Sequence, residues 1–243
     1  MFFLSKKNRS RKEDLSWAVR KDGRALWSIN ANPRSSVYGE SLRRFSGVEY
    51  RRWDPSRSKL GAAIIRTKRN PALLLPLAGD TILYLGAGHG TSISHLHDHL
   101  CGQDNHQGGR LVCVDLAPRC LRDLTHLADS RPGLIPVLGD ARKFSAWGVL
   151  MPRKVKWLFQ DVSQAGQVEI FIKAANRFLA DDGIGLLSLK AASERWTGDD
   201  EAQVFANVEV ALEQAGLTVE ESIDLAGFED NHMLFAVRKE ENI

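Results

Sequence analysis

A strand-like run, Thr81 to Leu85, leads directly into Gly86-Ala87-Gly88-His89-Gly90-Thr91 and then into residues with helical spacing. Glycines at such a junction let a ligand approach the backbone, and the helix that follows offers amide N–H groups with no partner inside it. A dinucleotide-binding loop needs glycine at its first, third and sixth places, whereas here the sixth is Thr91 and the glycine falls fifth. That spacing fits a nucleoside-methionine cofactor better. Two carboxylates follow in order. Asp115 ends the next β-type run, RLVCVD, where an acidic side chain can accept hydrogen bonds from a ribose diol. Asp140, with Ala141, ends the third run, where it can meet an adenine amino group. A glycine loop alone is as readily a structural turn. Loop, Asp and Asp at three successive strand ends point together to S-adenosylmethionine.

Other reactive residue types say less. His89, His95, His97 and His99 crowd one helical region, but no Asp, Glu or Cys cluster with ligand spacing accompanies them. They read as surface histidines, and no metal is expected. Cys101, Cys113 and Cys120 are odd in number and lack paired spacing, so they read as reduced thiols without chemistry. Taken singly, Lys190 after GLLSL is a solvated strand end and His232 a satisfied polar group.

The elements that must position these residues are legible as a rhythm. TILYLG, RLVCVDL, LIPVLGD, VKWLFQD, GIGLLSLK, LTVEESIDL and HMLFAVRK are β-type runs, several of them continuously apolar, as for parallel strands covered on both faces. Helical segments at 164–179 and 200–215 intervene, with Gly183 and Gly216 as their stops. The fold class is α/β: a doubly wound, mostly parallel, seven-stranded Rossmann-like sheet whose ligand lies at the carboxyl ends of the strands. Ahead of it, residues 1–12 read as a basic disordered leader. Residues 13–55 read as a small β-rich N-terminal domain with strands in SWAVR, ALWSI and SVYGE, and residues 56–243 as the main domain. That domain opens with a helix over 56–68 behind Asp54-Pro55.

At 243 residues and 43% hydrophobic composition the chain can bury one generous core. No run approaches the roughly 18 apolar residues of a membrane span, and the opening MFFLSKKNRSRK is too short an apolar stretch for a secretory signal. A soluble, intracellular protein is expected. Its net charge of +3 hides a strong asymmetry: residues 1–70 hold 18 Lys and Arg against 6 Asp and Glu, the remainder 15 against 24. Many of those arginines lie inside patterned segments, which implies a surface that meets a polyanion. Arg51 and Arg57 are the candidate RNA contacts.

The chain resembles the fibrillarin family over about residues 35–238. The likeness is carried by Ser36-Val37-Tyr38-Gly39-Glu40, Glu49-Tyr50-Arg51 with Trp53, Pro55-Ser56-Arg57-Ser58-Lys59-Leu60, and Leu83-Tyr84-Leu85-Gly86-Ala87 with Gly90-Thr91. It continues through Asp140-Ala141-Arg142, Asp161-Val162 with Gln164 and Gln167, Lys190-Ala191, and Asp230 with His232. Departures are Gly88-His89 for the family's Ala-Ser, Asp115 for its Glu, and Ala165-Gly166 for its Pro-Asp. The resemblance implies methylation of ribose 2′-hydroxyls in rRNA, and in tRNA, directed by box C/D guide RNA. It implies a catalytic set of Lys59, Asp161, Lys190 and His232. The implied S-adenosylmethionine site comprises Gly86, Gly88, Gly90, Thr91, Ser92, Asp115, Leu116, Asp140, Ala141, Asp161, Val162, Ser163 and Gln164. Implied partners are a coiled-coil Nop-type scaffold protein and a kink-turn-binding ribosomal-type protein. Without a Gly-Arg-rich tail the chain looks archaeal in type, with a cytoplasmic rather than nucleolar address. Two rivals differ in class: a nicotinamide-dependent oxidoreductase, disfavoured by Thr91, and a non-catalytic docking subunit, disfavoured by retention of all four catalytic positions.

Overall fold

The computed structural model describes residues 12–151, 153–193 and 201–241. All of the expected leader except Lys12 lies outside them. An antiparallel sheet comes first, built from β1 (Lys12–Asp14), β2 (Val19–Asp22), β3 (Ala25–Ile29), β4 (Leu42–Phe45) and β5 (Val48–Trp53) in the order β1-β2-β3-β5-β4. ALWSI supplies β3, whereas SWAVR gives only Val19 and Arg20 to β2, its first three residues being bends. SVYGE forms no strand, because the Glu40 carboxylate accepts the backbone N–H groups of Val37 and Tyr38 and closes that segment on itself. Its place is taken by LRRF, which pairs with β5 across the two-residue turn Ser46-Gly47, both at positive φ.

From β5 the chain enters a 3-10 turn (Pro55–Arg57) and then α1 (Lys59–Arg66). The single helix expected from residue 56 is thus two pieces. Ser58, extended at φ −153°, divides them, and its hydroxyl accepts the Gly61 N–H to cap α1.

The main sheet contains β6 (Thr81–Leu85), β7 (Arg110–Asp115), β8 (Leu134–Leu138), β9 (Val155–Gln160), β10 (Leu179–Lys190), β11 (Leu217–Asp224) and β12 (His232–Lys239). Its order is β11-β12-β10-β9-β6-β7-β8, parallel from β10 through β8, with β12 antiparallel to both neighbours. Between these strands run α2 (Thr91–Leu100), α3 (Pro118–Ala128), α4 (Phe144–Trp147), α5 (Gln167–Phe178) and α6 (Glu201–Gln214). β6 explains its own apolar run. Ile82 and Tyr84 pack with α1, α2 and Trp53 on one face, while Leu83 and Leu85 pack with α5, α6 and Trp147 on the other. Gly216, at φ +73°, follows α6 as expected. Gly183 stops no helix: α5 passes straight into β10 at Leu179, and Gly183 lies inside that strand where its register with β9 breaks. β6 and β9 lie side by side where strand order reverses, so their carboxyl ends open a crevice. Among the described residues no helix is long and apolar enough to cross a membrane.

Between the two sheets lies a polar interior that corrects two expectations. Arg51 is no RNA contact: it is 0% exposed, with Nε on Glu40 at 2.6 Å, Nη1 on Asp98 at 2.6 Å and Nη2 on Ser94 at 2.8 Å. It joins the N-terminal sheet to α2. Nor are His95, His97 and His99 surface groups, since all three are buried and only His89 is exposed. His95 stacks on Trp53 and lies 2.7 Å from both Ser28 Oγ and Tyr38 Oη. Tyr38 gives its proton to the Arg52 carbonyl, so it accepts from His95 Nε2, and Nδ1 accepts from Ser28. The neutral imidazole is thereby satisfied.

Burial pushes the titration of His95 well below its ordinary 6.5, with Arg51 and Arg131 adding to the effect. Burial lowers His99 likewise. A histidine depressed in this way resists in the folded state a proton that the unfolded chain accepts, so stability is present above the unfolded value and lost as pH falls below it. Denaturant titrations at pH 7 and pH 5.5 are expected to show stability falling below about 6.5, with about 1.4 kcal/mol per pH unit from His95. His95→Gln should flatten that dependence by about one proton, and an unaltered slope would refute the assignment.

Candidate active site

The carboxyl ends of β6, β7, β9 and β10 and the start of β12 enclose a cleft of about 550 Å³. Its floor depends on one glycine. Gly86 has φ +81°, and a Cβ there would sit 2.1 Å from the Asp161 carbonyl oxygen, so only glycine lets the loop close against the end of β9. Gly88 donates its N–H to Asp115 Oδ2 at 2.8 Å, while Oδ1 accepts the Ala117 N–H at 2.8 Å. The shorter Asp115 therefore fastens the glycine loop to the start of α3.

Gly86, Gly88, Asp115, Leu116, Ala141, Asp161, Val162, Ser163 and Gln164 line the cleft as expected. Gly90, Thr91, Ser92 and Asp140 are not on its wall. Gly90, left-handed at φ +90°, faces Leu124 and Leu127 of α3. Thr91 faces a neighbouring cleft of about 430 Å³ that it shares with Arg57 and His126. The Ser92 hydroxyl bonds Ser58 at 2.8 Å. The Asp140 carboxylate turns onto Arg142, which holds its titration down at about 2, and touches the cleft only through Gln164 Nε2 at 3.5 Å. Val114, Ala117, Cys120, Gly139, Gln167 and Ser188 also line the cleft. Of these, Gln167 has a place in the family motif, and Ser188 stands two residues before Lys190 on the same strand face. The three cysteines are all free and buried, and burial pushes Cys101 up to about 12.

All four expected catalytic side chains reach this cleft. Lys59 Nζ, from the first turn of α1, meets both oxygens of Asp161 at 2.9 and 3.1 Å. Lys190 and His232 are direct partners across β10 and β12. His232 Nδ1 donates to the Asp230 carbonyl at 2.8 Å, which leaves Nε2 as the acceptor of the neutral ring. Gln167 positions the set, because its Nε2 donates to the Val162 carbonyl and its Oε1 accepts the Lys190 N–H at 3.3 Å. One amide thus spans the ends of β9 and β10.

The cleft suits a nucleoside carrying an amino-acid tail. It offers half-buried glycine backbone, a carboxylate at a strand end, and two buried polar atoms without a partner on lining residues, Ser188 Oγ and Gln164 Oε1. A protein-family model for Fibrillarin matches residues 7–241. The chain belongs to the fibrillarin family. The fibrillarin-like rRNA/tRNA 2′-O-methyltransferase of Thermococcus gammatolerans is 41% identical over 211 residues, covering 86% of this chain and 88% of that protein. Aeropyrum pernix fibrillarin, solved with natively bound S-adenosyl-L-methionine, is 31% identical with a TM-score of 0.76, covering 97% of this chain and 98% of that one. A fibrillarin from a fibrillarin/Nop5p complex is 30% identical with a TM-score of 0.74, over 88% of this chain and 94% of that one. In this chain Lys59, Asp161, Lys190 and His232 open onto one cleft beside the glycine loop.

Proposed function

We propose that the chain methylates ribose 2′-hydroxyls of rRNA, and of tRNA, as the catalytic subunit of a box C/D guide RNA–protein complex that uses S-adenosylmethionine. The observation that carries this reading is the convergence of Lys59, Asp161, Lys190 and His232 on the cleft that the glycine loop closes. Gly86, Gly88, Asp115, Leu116, Ala141 and Gln164 would hold the cofactor, which when bound supplies a methyl group on a sulfonium centre. The chain's own task is to align the ribose oxygen and remove its proton. Lys190 takes that role, accepting the 2′-hydroxyl proton on Nζ. Asp161, paired with Lys59, orients the amine and the ribose, and His232 Nε2 completes the hydrogen bonding.

A Nop-type coiled-coil protein and a kink-turn-binding ribosomal-type protein are the partners this reading calls for, with guide RNA choosing the nucleotide and a cytoplasmic setting. Support for the first comes from the relative solved with Nop5p. Reconstitution with both proteins and a guide, followed by methyl incorporation into a complementary RNA, tests the reading. Failure of the chain to incorporate methyl in that complex, despite binding S-adenosylmethionine, would favour the docking subunit, and binding of a nicotinamide dinucleotide instead would favour the oxidoreductase.

Calorimetry is expected to give one S-adenosylmethionine site per chain. Asp115→Ala should weaken it by about 1 to 3 kcal/mol, since both the carboxylate and the Gly88 tether are lost. Unchanged affinity would remove Asp115 from the site. Arg57 stays a candidate RNA contact: it is exposed, two residues before Lys59, with its guanidinium 4.6 Å over the Tyr38 ring. Arg57→Glu should lower guided methylation and blunt its dependence on salt, because one phosphate contact is lost. Activity indifferent to both would exclude Arg57.

A further inference from the structure

The outer face of the five-stranded sheet carries an arrangement for which the cleft has no use. Leu26, Ser28, Arg51 and Trp53 point inward to the core and α2, so by strand alternation Trp27, Tyr50 and Arg52 point outward. Arg20 and Arg52 stand opposite Trp27 on its two sides, and Arg43 opposite Tyr50. Each guanidinium lies over a ring. Arg43 is 4.7 Å from the centroid of Phe45, Arg20 is 4.8 Å from Phe45 and 5.4 Å from Tyr50, and Arg52 is 5.6 Å from Trp27. The rings brace one another edge to face, Phe45 on Trp27 at 5.5 Å and on Tyr50 at 5.3 Å. The arginines cover the rings: Trp27 and Phe45 are 7% and 8% exposed, whereas the side chains of Arg43 and Arg20 are 57% and 16% exposed.

Stacking fixes the plane of a guanidinium while its N–H edge stays available, which lowers the entropy lost when it meets a phosphate. Asp14 and Asp22 offset part of the charge, at 3.2 Å from Arg20 and 3.6 Å from Arg43. Among the described residues no carboxylate pairs with Arg52. From β2 to β4 the arginines span three strand spacings, about 14 Å. That length exceeds the spacing of neighbouring phosphates on one strand, so the row can meet more than one phosphate. Guanidinium planes also stack on unpaired bases.

We propose that this face is a second RNA-binding surface, separate from the catalytic cleft, that grips the phosphodiester backbone through Arg20, Arg43 and Arg52. The proposal rests on the reading that the substrate is RNA. It also gives the excess of basic residues in the first 70 a location that Arg51 does not provide.

Fluorescence anisotropy of a labelled 20-nucleotide uridine RNA, titrated with the full chain over a series of KCl concentrations, tests it. Arg43→Gln with Arg52→Gln should weaken binding about tenfold. The slope of log affinity against log salt should flatten by roughly 1.4, the value for two phosphate contacts to a single strand. Arg43→Lys with Arg52→Lys keeps the charges and should keep the slope. S-adenosylmethionine affinity reports the fold. If the glutamine pair disturbs it, Arg43→Gln alone, at an exposed position, serves with about half the slope change. Wild-type affinity and slope in folded glutamine variants would overturn the proposal. Methyl transfer that persists in those variants and vanishes in Lys190→Ala would then leave the activity standing without this surface.

Discussion

Lys190→Ala will lower single-turnover methylation of a guided RNA about 100-fold or more while leaving S-adenosylmethionine affinity near wild type. This is the usual scale for removing a positioned proton acceptor. The split between the two readouts follows from geometry. Lys190 is the last residue of β10, held by its ladder to His232 and by its N–H bond to Gln167, and these are backbone interactions that alanine keeps. The glycine loop and Asp115, on the other side of the cleft, are untouched. A variant that methylates at near wild-type rate would remove Lys190 from the chemistry and make Lys59, the other cleft lysine, the leading candidate.

Arg51→Leu will cost about 3 to 5 kcal/mol of stability, the range for removing one partner from a buried ion pair. Its carboxylate partners are 1% and 0% exposed, so neither Glu40 nor Asp98 can turn to water for compensation. Burial opposes the Glu40 charge, yet Arg51 and the amides of Tyr38 and Val37 hold its titration below the ordinary value. Domains of this kind are stable by about 5 to 15 kcal/mol, so the variant should be marginal. Chemical denaturation reads the change. Adding Glu40→Gln should recover part of the loss, because its stranded charge goes with it, whereas Asp98 still has Arg131 at 3.6 Å. A loss under about 1 kcal/mol would show that Arg51 does not organise this interior.

The main sheet was legible in the sequence because β6, β7 and β9 are apolar on both faces, and such runs have few alternatives. The catalytic positions came from family motifs and the glycine loop from its spacing. What lay beyond reach came from long-range pairing. Arg51 reads as one more basic residue until Asp98, 47 positions away, is folded against it. His95, His97 and His99 look like a polar helix face, since only the packing of the N-terminal sheet on α2 buries them. SVYGE has strand composition, yet Glu40 turns it back on its own amides. In the cleft, Gly90, Thr91 and Ser92 fit the loop pattern but face α3, a neighbouring cleft and Ser58, because the helix begins there and rotates them off the wall. Cys120 enters from a helix whose approach no local pattern encodes, and Gln167, though part of the family motif, shows its bracing role only once the ends of β9 and β10 lie together.

Whether the methyl group reaches a ribose oxygen is read directly from where it lands. RNA labelled by the reconstituted complex with radioactive S-adenosylmethionine should be cleaved by alkali and its products separated. Methylation at the 2′-oxygen removes the nucleophile that alkali needs, so label is expected in an alkali-resistant dinucleotide at the guided position, absent with Lys190→Ala. Label recovered on a base within an alkali-released mononucleotide, or no label from a chain that binds the cofactor, would contradict it.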